Sequence, residues 1–268
     1  MTTRPLRRNI RLLVINPNSS HEMTDGMERA MRSLDLPNSV EITMYTAPPE
    51  SPPSINDGLD IKASEEVVMK SLQETGILKD YDGALVACYS VHTLVARIAA
   101  ACSHQFPVTG IFEASILATL PLLQRDGDGA TGWGIITTGK FWEDHLTVGL
   151  KKYLGQSGED GNSLFLGVHS TGLLAGDLHG HDVSPELVQS RLKEATRRLL
   201  HKGPVHCIVM GCAGMAGLED IIRSTIREEY PQERAQSVYV IDGVRAGIGA
   251  LEQMVKNKRM FQDPRLLA

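Results

Sequence analysis

The sequence predicts an α/β protein made of two pseudo-symmetric lobes, each with a parallel β-sheet. Short runs of β-branched and other apolar residues alternate with longer segments of helical periodicity along the 268 residues. The short runs are almost continuously apolar, which is typical of parallel strands that helices cover on both faces. The order of the segments also repeats between the two halves of the chain. We therefore expect two similar lobes that face each other, with the active site in the cleft between them.

Strands and helices are predicted to alternate in the following order. The strands are at 11–16, 40–45, 83–88, 108–112, 132–137, 164–168, 207–211 and 238–242. The helices are at 22–34, 59–78, 92–103, 113–124, 140–154, 185–201, 217–229 and 243–257. Capping residues support several boundaries: Ser184 precedes Pro185, Asn56 and Asp57 precede the second helix, and Gly155 follows the fifth.

Two features at the ends of predicted strands indicate the internal repeat. Polar clusters follow the strands that end at Asn16 and Thr137, and later strands in each half end at Cys88 and Cys212. Cys88 comes 72 residues after Asn16, and Cys212 comes 75 residues after Thr137. Chance similarity between two βαβ segments is the alternative explanation. A duplication predicts a first lobe of residues 1–105 plus 230–268 and a second lobe of residues 106–229.

Composition and charge exclude several classes of protein. The 27 basic and 32 acidic side chains give a net charge of −5, which argues against a nucleic-acid partner. The apolar run at 10–15 is too short for a signal peptide or a membrane span, so we expect a cytoplasmic protein with no membrane partner. In such a reducing compartment, the four cysteines are expected to be free thiols.

Cys88 and Cys212 each lie at the carboxyl end of a predicted strand, just before a predicted helix. Ligands bind at this edge of open α/β sheets, and the N–H groups at the start of a helix favour a thiolate. Two facing lobes would bring these thiols to opposite sides of one cleft. A base on one face of a carbon acid and an acid on the other is what racemisation requires. The alternative, a cysteine packed as a small apolar residue, suits Cys102 and Cys207 better.

Other polar groups are weaker candidates. His179 and His181 have acidic neighbours and could bind zinc, but no third distant ligand is evident, so no metal site is predicted. His92 could contact a substrate, tune a thiolate or simply face solvent. Asn16 could belong to a turn, or it could bind a substrate that offers both C=O and N–H groups.

Several motifs resemble those of hydantoin racemases. The segment from Arg11 to Ser20, with Met23 and Thr24, resembles the opening of that family. Segments 87–90 and 211–215 resemble its two cysteine motifs, and segments 110–114 and 137–138 also fall where the family has similar sequence. The chain is thereby identified as a member of the aspartate/glutamate/hydantoin racemase superfamily, most similar to its fungal Dcg1-like branch.

This resemblance implies a two-lobed racemase that needs neither a metal nor pyridoxal phosphate nor another cofactor. It implies that Cys88 and Cys212 are the catalytic acid and base. The implied substrate contacts are near Asn16, Ser90, Val91, Thr137, Thr138, Ala213 and Gly214. The implied substrates are small cyclic amides, either 5-substituted hydantoins or allantoin, and the implied assembly is a homo-oligomer in nitrogen metabolism or purine catabolism.

The loop after the first cysteine departs from the family pattern. Bacterial members usually continue with Gly-Asp-Pro-Gly, whereas this chain continues with Tyr89-Ser-Val-His-Thr93. Because this loop should contact the substrate, the substrate itself stays open. Amino-acid racemases and maleate isomerases of the same superfamily are alternatives, as is a small-molecule-binding protein without catalysis. The neutral character of the motifs favours a neutral cyclic amide over a free carboxylate.

Overall fold

The computed structural model describes residues 9–32, 37, 39–102, 104–123, 131–156, 164–178 and 183–262. The strands in these ranges are β1 (Ile10–Asn16), β2 (Val40–Thr46), β3 (Gly83–Val86), β4 (Val108–Gly110), β5 (Gly132–Thr137), β6 (Phe165–Ser170), β7 (Val205–Gly211) and β8 (Tyr239–Asp242). The helices are α1 (His21–Met31), α2 (Gly58–Thr75), α3 (Thr93–Ala101), α4 (Ile111–Thr119), α5 (Phe141–Tyr153), α6 (Pro185–Leu200), α7 (Glu219–Glu229), α8 (Gln232–Gln236) and α9 (Gly243–Phe261). Among these helices, none is both long and apolar enough to cross a lipid bilayer.

Two four-stranded parallel sheets confirm the predicted fold class. Their strand orders are β2-β1-β3-β4 and β6-β5-β7-β8, so the same topology occurs twice. The central strands β3, β5 and β7 are buried along their whole length, as their continuous apolar sequences predict. Two predicted N-caps are also confirmed: the Ser184 hydroxyl accepts a hydrogen bond from the Leu187 N–H at 3.3 Å, and Asp57 caps α2.

Sheet membership corrects the predicted lobe boundaries. Strand β4 pairs with β3 in the first sheet, and β8 pairs with β7 in the second. The boundaries at 105/106 and 229/230 had placed each of them in the opposite lobe. The chain therefore enters the second sheet after α4 and leaves it after β8, and α9 returns to pack against α4 and β3. The sequence did not indicate this because a short apolar strand has the same pattern in either sheet.

A glycine before the second cysteine allows β7 to lie close against β5. A Cβ atom on Gly211 would lie 2.5 Å from Cγ2 of Ile135 and 2.8 Å from the carbonyl oxygen of Ile136. The backbone oxygen cannot move away without breaking the sheet, so a larger residue is excluded here. Gly211 thus fixes the position from which Cys212 leaves the sheet.

Candidate active site

A small cavity, with a volume of about 30 Å³, lies between the two sheets at the carboxyl ends of the strands. The lining residues from the N-terminal part of the chain are Asn18, Met23, Ile55, Ala87, Cys88 and Tyr89. Those from the C-terminal part are Thr138, Trp142, Ala175, Gly211, Cys212, Ala213 and Gly214. Both parts of the chain therefore contribute one cysteine to the same space.

The two cysteines occupy equivalent positions in the two sheets. Cys212 directly follows β7, and Cys88 lies two residues after β3, which ends earlier than the predicted strand. They are close enough that Cys212 contributes to raising the pKa of the Cys88 thiol. The described cysteines are all free thiols, as the sequence predicts. The arrangement can present a ligand with a sulfur atom from each half of the chain.

Burial makes both thiols weak acids. It raises the pKa of Cys88 to about 12, with Cys212 and Glu113 adding to the rise, and it raises the pKa of Cys212 to about 11. The Ser90 hydroxyl donates to the Cys88 sulfur at 3.4 Å and opposes the rise there. At Cys212 the opposing groups are the backbone N–H groups of Gly214 and Met215, which favour the thiolate. Of the two, Cys212 is therefore the easier to ionise.

The structure places Asn18 rather than Asn16 in the cavity. The buried Asn16 amide is held inside the first lobe, where its Nδ2 donates to Asn18 Oδ1, the Ser20 carbonyl and Thr24 Oγ1, each at 3.0 Å. Asn18 Oδ1 also accepts from the Ser20 N–H at 2.9 Å, so its orientation is fixed. Among the residues that the structure describes, its Nδ2 donates to the Met23 sulfur alone, at 3.3 Å, and sulfur is a weak acceptor. Asn18 can therefore donate to a ligand, and Asn16 orients it.

The other predicted substrate contacts divide into two groups. Thr138, Ala213 and Gly214 line the cavity together with the cysteines. Ser90, Val91 and Thr137 are not among the lining residues. The Ser90 hydroxyl instead donates to the Cys88 sulfur. Thr137 is buried and its hydroxyl donates to the Gly211 carbonyl at 2.7 Å, which ties β5 to β7. Val91 instead packs beside Gly149 of α5.

The lining residues that were not predicted from the sequence are Asn18, Met23, Ile55, Ala87, Tyr89, Trp142, Ala175 and Gly211. The double asparagine of the Asn-Pro-Asn motif is a signal that could have identified Asn18, because the second asparagine lies farther beyond the strand end. No comparable signal marks Ile55 or Ala175, which lie in loops.

His92 is a buried helix cap, which is none of the three roles considered from the sequence. It is 3% exposed, and its Nδ1 accepts from the Leu94 N–H at 3.3 Å as the N-cap of α3. Its Nε2 lies 3.1 Å from Ser64 Oγ. Burial lowers the pKa of His92 to about 4. His179 and His181 lie outside the described residues, and no group of three or more potential metal ligands is found within the described part of the chain.

The buried His92 predicts a loss of stability in mild acid. Its pKa is about 4 in the folded protein and about 6.5 in an unfolded chain, so protons bind preferentially to the unfolded state. The free energy of unfolding should therefore decrease as the pH falls from about 6.5 to about 4, by about 3 kcal/mol from this one group.

The variant His92→Asn retains a capping side chain and should lack this pH-dependent loss of stability, which urea unfolding at several pH values measures. His21→Asn, at an exposed position, is the control; equal acid sensitivity of His92→Asn and the wild type would contradict the prediction.

Comparisons with known proteins agree with this geometry. The sequence pattern of the family described as Asp/Glu/hydantoin racemase matches residues 12–251. Protein DCG1 of Saccharomyces cerevisiae is 27% identical over 92% of this chain and 96% of its own length. A hydantoin racemase of Pseudomonas sp. strain NS671 is 25% identical over 92% of this chain and 86% of its own. The resemblance to fungal Dcg1-like proteins and hydantoin racemases is thus confirmed.

A solved structure with the same fold is the allantoin racemase from Klebsiella pneumoniae. It superposes with a TM-score of 0.69 at 26% identity, and the match covers 92% of this chain and 88% of that one. The family pattern spans both sheets, including each of the strands that lead to Cys88 and Cys212. The chain therefore belongs to the Asp/Glu/hydantoin racemase family and is a racemase.

Proposed function

We propose that the protein racemises a neutral 5-substituted hydantoin-type ring, with Cys88 and Cys212 as the two proton-transfer groups. A thiolate on one face of the ring removes the proton from the stereocentre and becomes a thiol. The thiol on the other face donates its proton to the same carbon and becomes the thiolate. Each turnover thus exchanges the roles of the two sulfur atoms, and neither a metal nor pyridoxal phosphate takes part in this scheme.

The observation that carries this proposal is a cavity shared by two thiols and lined without charge. Of its described lining residues, none is Asp, Glu, Lys, Arg or His. A free carboxylate buried there would lack a cationic partner, and an unpaired buried charge is costly. A neutral cyclic amide carries no such cost. This favours a hydantoin-type ring over the amino acids or maleate used elsewhere in the superfamily.

The relatives support the same substrate class, since one is named a hydantoin racemase and another an allantoin racemase. With such a substrate the reaction would belong to nitrogen metabolism, in the case of allantoin to purine catabolism. We expect the enzyme to act in the cytoplasm as a homo-oligomer.

A substrate panel followed by polarimetry tests the proposal. We expect loss of optical rotation from single enantiomers of 5-substituted hydantoins, beyond the enzyme-free rate, and none from aspartate or glutamate. Maleate, followed by its conversion to fumarate, should also be inert. Racemisation of an amino acid but of no hydantoin would overturn the proposal. Binding of a hydantoin without deuterium exchange at its stereocentre would instead indicate a non-catalytic binding protein.

Asn18 is the polar side chain best placed to stabilise the reaction intermediate. Its Nδ2 group, which donates to the weakly accepting Met23 sulfur, would donate to a ring carbonyl on which negative charge develops. Asn18→Asp keeps an acceptor for the Asn16 amide and the Ser20 N–H but loses the donor, so we expect kcat to fall about 100-fold. Polarimetric rates measure the loss, and thermal unfolding checks the fold. Asn257→Asp, the same change at an exposed position of α9, should retain the wild-type rate; an unchanged kcat in Asn18→Asp would exclude the role.

A further inference from the structure

The loop after Cys88 is the segment in which this chain departs from the bacterial family pattern, and the structure gives each of its side chains a contact. Four of these side chains contact other parts of the protein. The contacts are those of Tyr89 with Ser115, Val91 with Gly149, His92 with the start of α3 and Thr93 with Glu65. Ser90 is the member of the loop whose side chain bonds to the Cys88 sulfur.

The Ser90 hydroxyl is enclosed together with that sulfur. Ser90 is 0% exposed, and its Oγ donates to Sγ of Cys88 at 3.4 Å. Within the described part of the chain, this sulfur is the hydroxyl's one hydrogen-bond partner. The Ser90 N–H is already used, because it donates to the Cys88 carbonyl at 3.0 Å. In this lobe the sulfur therefore receives a hydrogen bond from a side chain and not from the backbone of Ser90.

In the second lobe, backbone groups occupy the corresponding place. The N–H groups of Gly214 and Met215 bond to the Cys212 sulfur and oppose the rise in its pKa. At Cys88 the group that opposes the rise in the pKa is the Ser90 hydroxyl. The two sheets have the same topology, but the donors to the two sulfur atoms differ. A single substitution can thus remove the donor at Cys88 and leave those at Cys212 in place.

Resting on the proposed function, we propose that Ser90 is a positioning residue that stabilises the Cys88 thiolate in the half-reaction in which Cys88 carries the charge. A thiol sulfur is a weak acceptor, whereas a thiolate accepts a charge-assisted hydrogen bond, so the contact strengthens as the proton leaves Cys88. That proton passes from Sγ to the substrate carbon, or from the carbon to Sγ in the opposite direction. Ser90 does not line the cavity, and it keeps its own proton throughout.

Alkylation in the absence of substrate tests the proposal. Iodoacetamide reacts with thiolates, so the ratio of the alkylation rates of Cys88 and Cys212 compares the two sulfur atoms within one protein. Ser90→Ala removes the donor at Cys88, which should lower the thiolate fraction there about 30-fold. Because a more basic thiolate is also a better nucleophile, we expect the ratio to fall about fivefold. Mass spectrometry at successive times measures both rates.

Ser64→Ala is the matched control. Ser64 is also 0% exposed and lies in the same lobe, but its hydroxyl bonds to the Ile61 carbonyl and the His92 ring. This variant should keep the wild-type ratio. Both substitutions remove one oxygen atom and add none to the core, and thermal unfolding checks the fold. An unchanged ratio in Ser90→Ala, or an equal fall in both variants, would overturn the inference.

Deuterium exchange tests the same residue during the reaction. The two enantiomers of a hydantoin with one stereocentre have equal free energy, so their kcat/KM values stay equal in every variant and cannot separate the two sulfur atoms. Variants with one of the two cysteines can. In heavy water, adding Ser90→Ala to Cys212→Ser, where Cys88 is the base, should slow exchange about fivefold more than adding it to Cys88→Ser. Equal slowing in the two backgrounds would overturn the inference.

The two measurements separate this inference from the proposed function. Racemisation of a hydantoin together with an unchanged alkylation ratio in Ser90→Ala would overturn the inference and leave the proposed function standing. A lowered ratio without racemisation of any hydantoin would remove the proposed function, and it would still show that Ser90 stabilises the Cys88 thiolate.

Discussion

Replacement of either Cys88 or Cys212 with serine is expected to lower racemisation at least about 1000-fold without unfolding the protein. Both sulfur atoms line one cavity, and a racemase needs a base on one face and an acid on the other. Serine is nearly the same size, but its hydroxyl is a much weaker acid than a thiol and is not a useful base. Polarimetry measures the rate, and circular dichroism measures the retained fold. Rates close to wild type in both variants would contradict the assignment.

The chain offers a cysteine as a control for these variants. Cys102 is a free thiol at the end of α3 and does not line the cavity. Cys102→Ser should therefore racemise at the wild-type rate. Deuterium exchange adds a finer measurement, because in heavy water each single variant keeps one of the two sulfur atoms. We expect each to exchange the proton of one enantiomer only, and the two variants to act on opposite enantiomers.

The activity should increase steeply with pH across the neutral range. The thiol pKa values of about 11 at Cys212 and about 12 at Cys88 mean that the free enzyme is mostly in the dithiol form near neutrality. The active form has one thiolate and one thiol, and below the lower pKa its fraction increases about tenfold for each pH unit. We therefore expect kcat/KM to rise about 100-fold between pH 6 and pH 8. A plateau below pH 8 would mean that the thiols are far more acidic than their burial indicates.

The same environment predicts which sulfur reacts first. Burial raises the pKa of both thiols; the N–H groups of Gly214 and Met215 oppose the rise at Cys212, whereas at Cys88 the Ser90 hydroxyl opposes it and Cys212 and Glu113 add to it. Iodoacetamide should therefore modify Cys212 before Cys88, as mass spectrometry of partly inactivated enzyme can determine. A substrate ring in the cavity should slow the modification of both.

Much of the fold follows from local sequence, and part of the site does not. The order of the strands and of the longer helices and the caps at Asp57 and Ser184 are encoded by short patterns and were predictable, whereas the short helix α8 was missed. Sheet membership of β4 and β8 depends on how the chain crosses between lobes, which no local pattern records. In the site, Cys88 and Cys212 follow strands and could be located from the strand ends.

The rest of the cavity depends on contacts between distant segments. Ile55 reaches the site because Asn56 of its loop bonds to the backbone of Ala175, 119 residues farther along the chain. Asn16 was predicted as a substrate contact because it ends a strand. Its side-chain NH2 group instead donates hydrogen bonds to neighbours within its own lobe. Which of two neighbouring asparagines faces a ligand is decided by such partners rather than by the motif.

The late return of α9 has a mechanical consequence. Because the polypeptide passes from the first sheet to the second after α4 and back again after β8, two covalent tethers connect the halves. α4 and α9 also pack against each other beside these tethers and touch strands of both sheets. We expect two tethers to resist twisting of one half against the other more than they resist bending. A single proteolytic cut in either tether would leave the halves joined by the other.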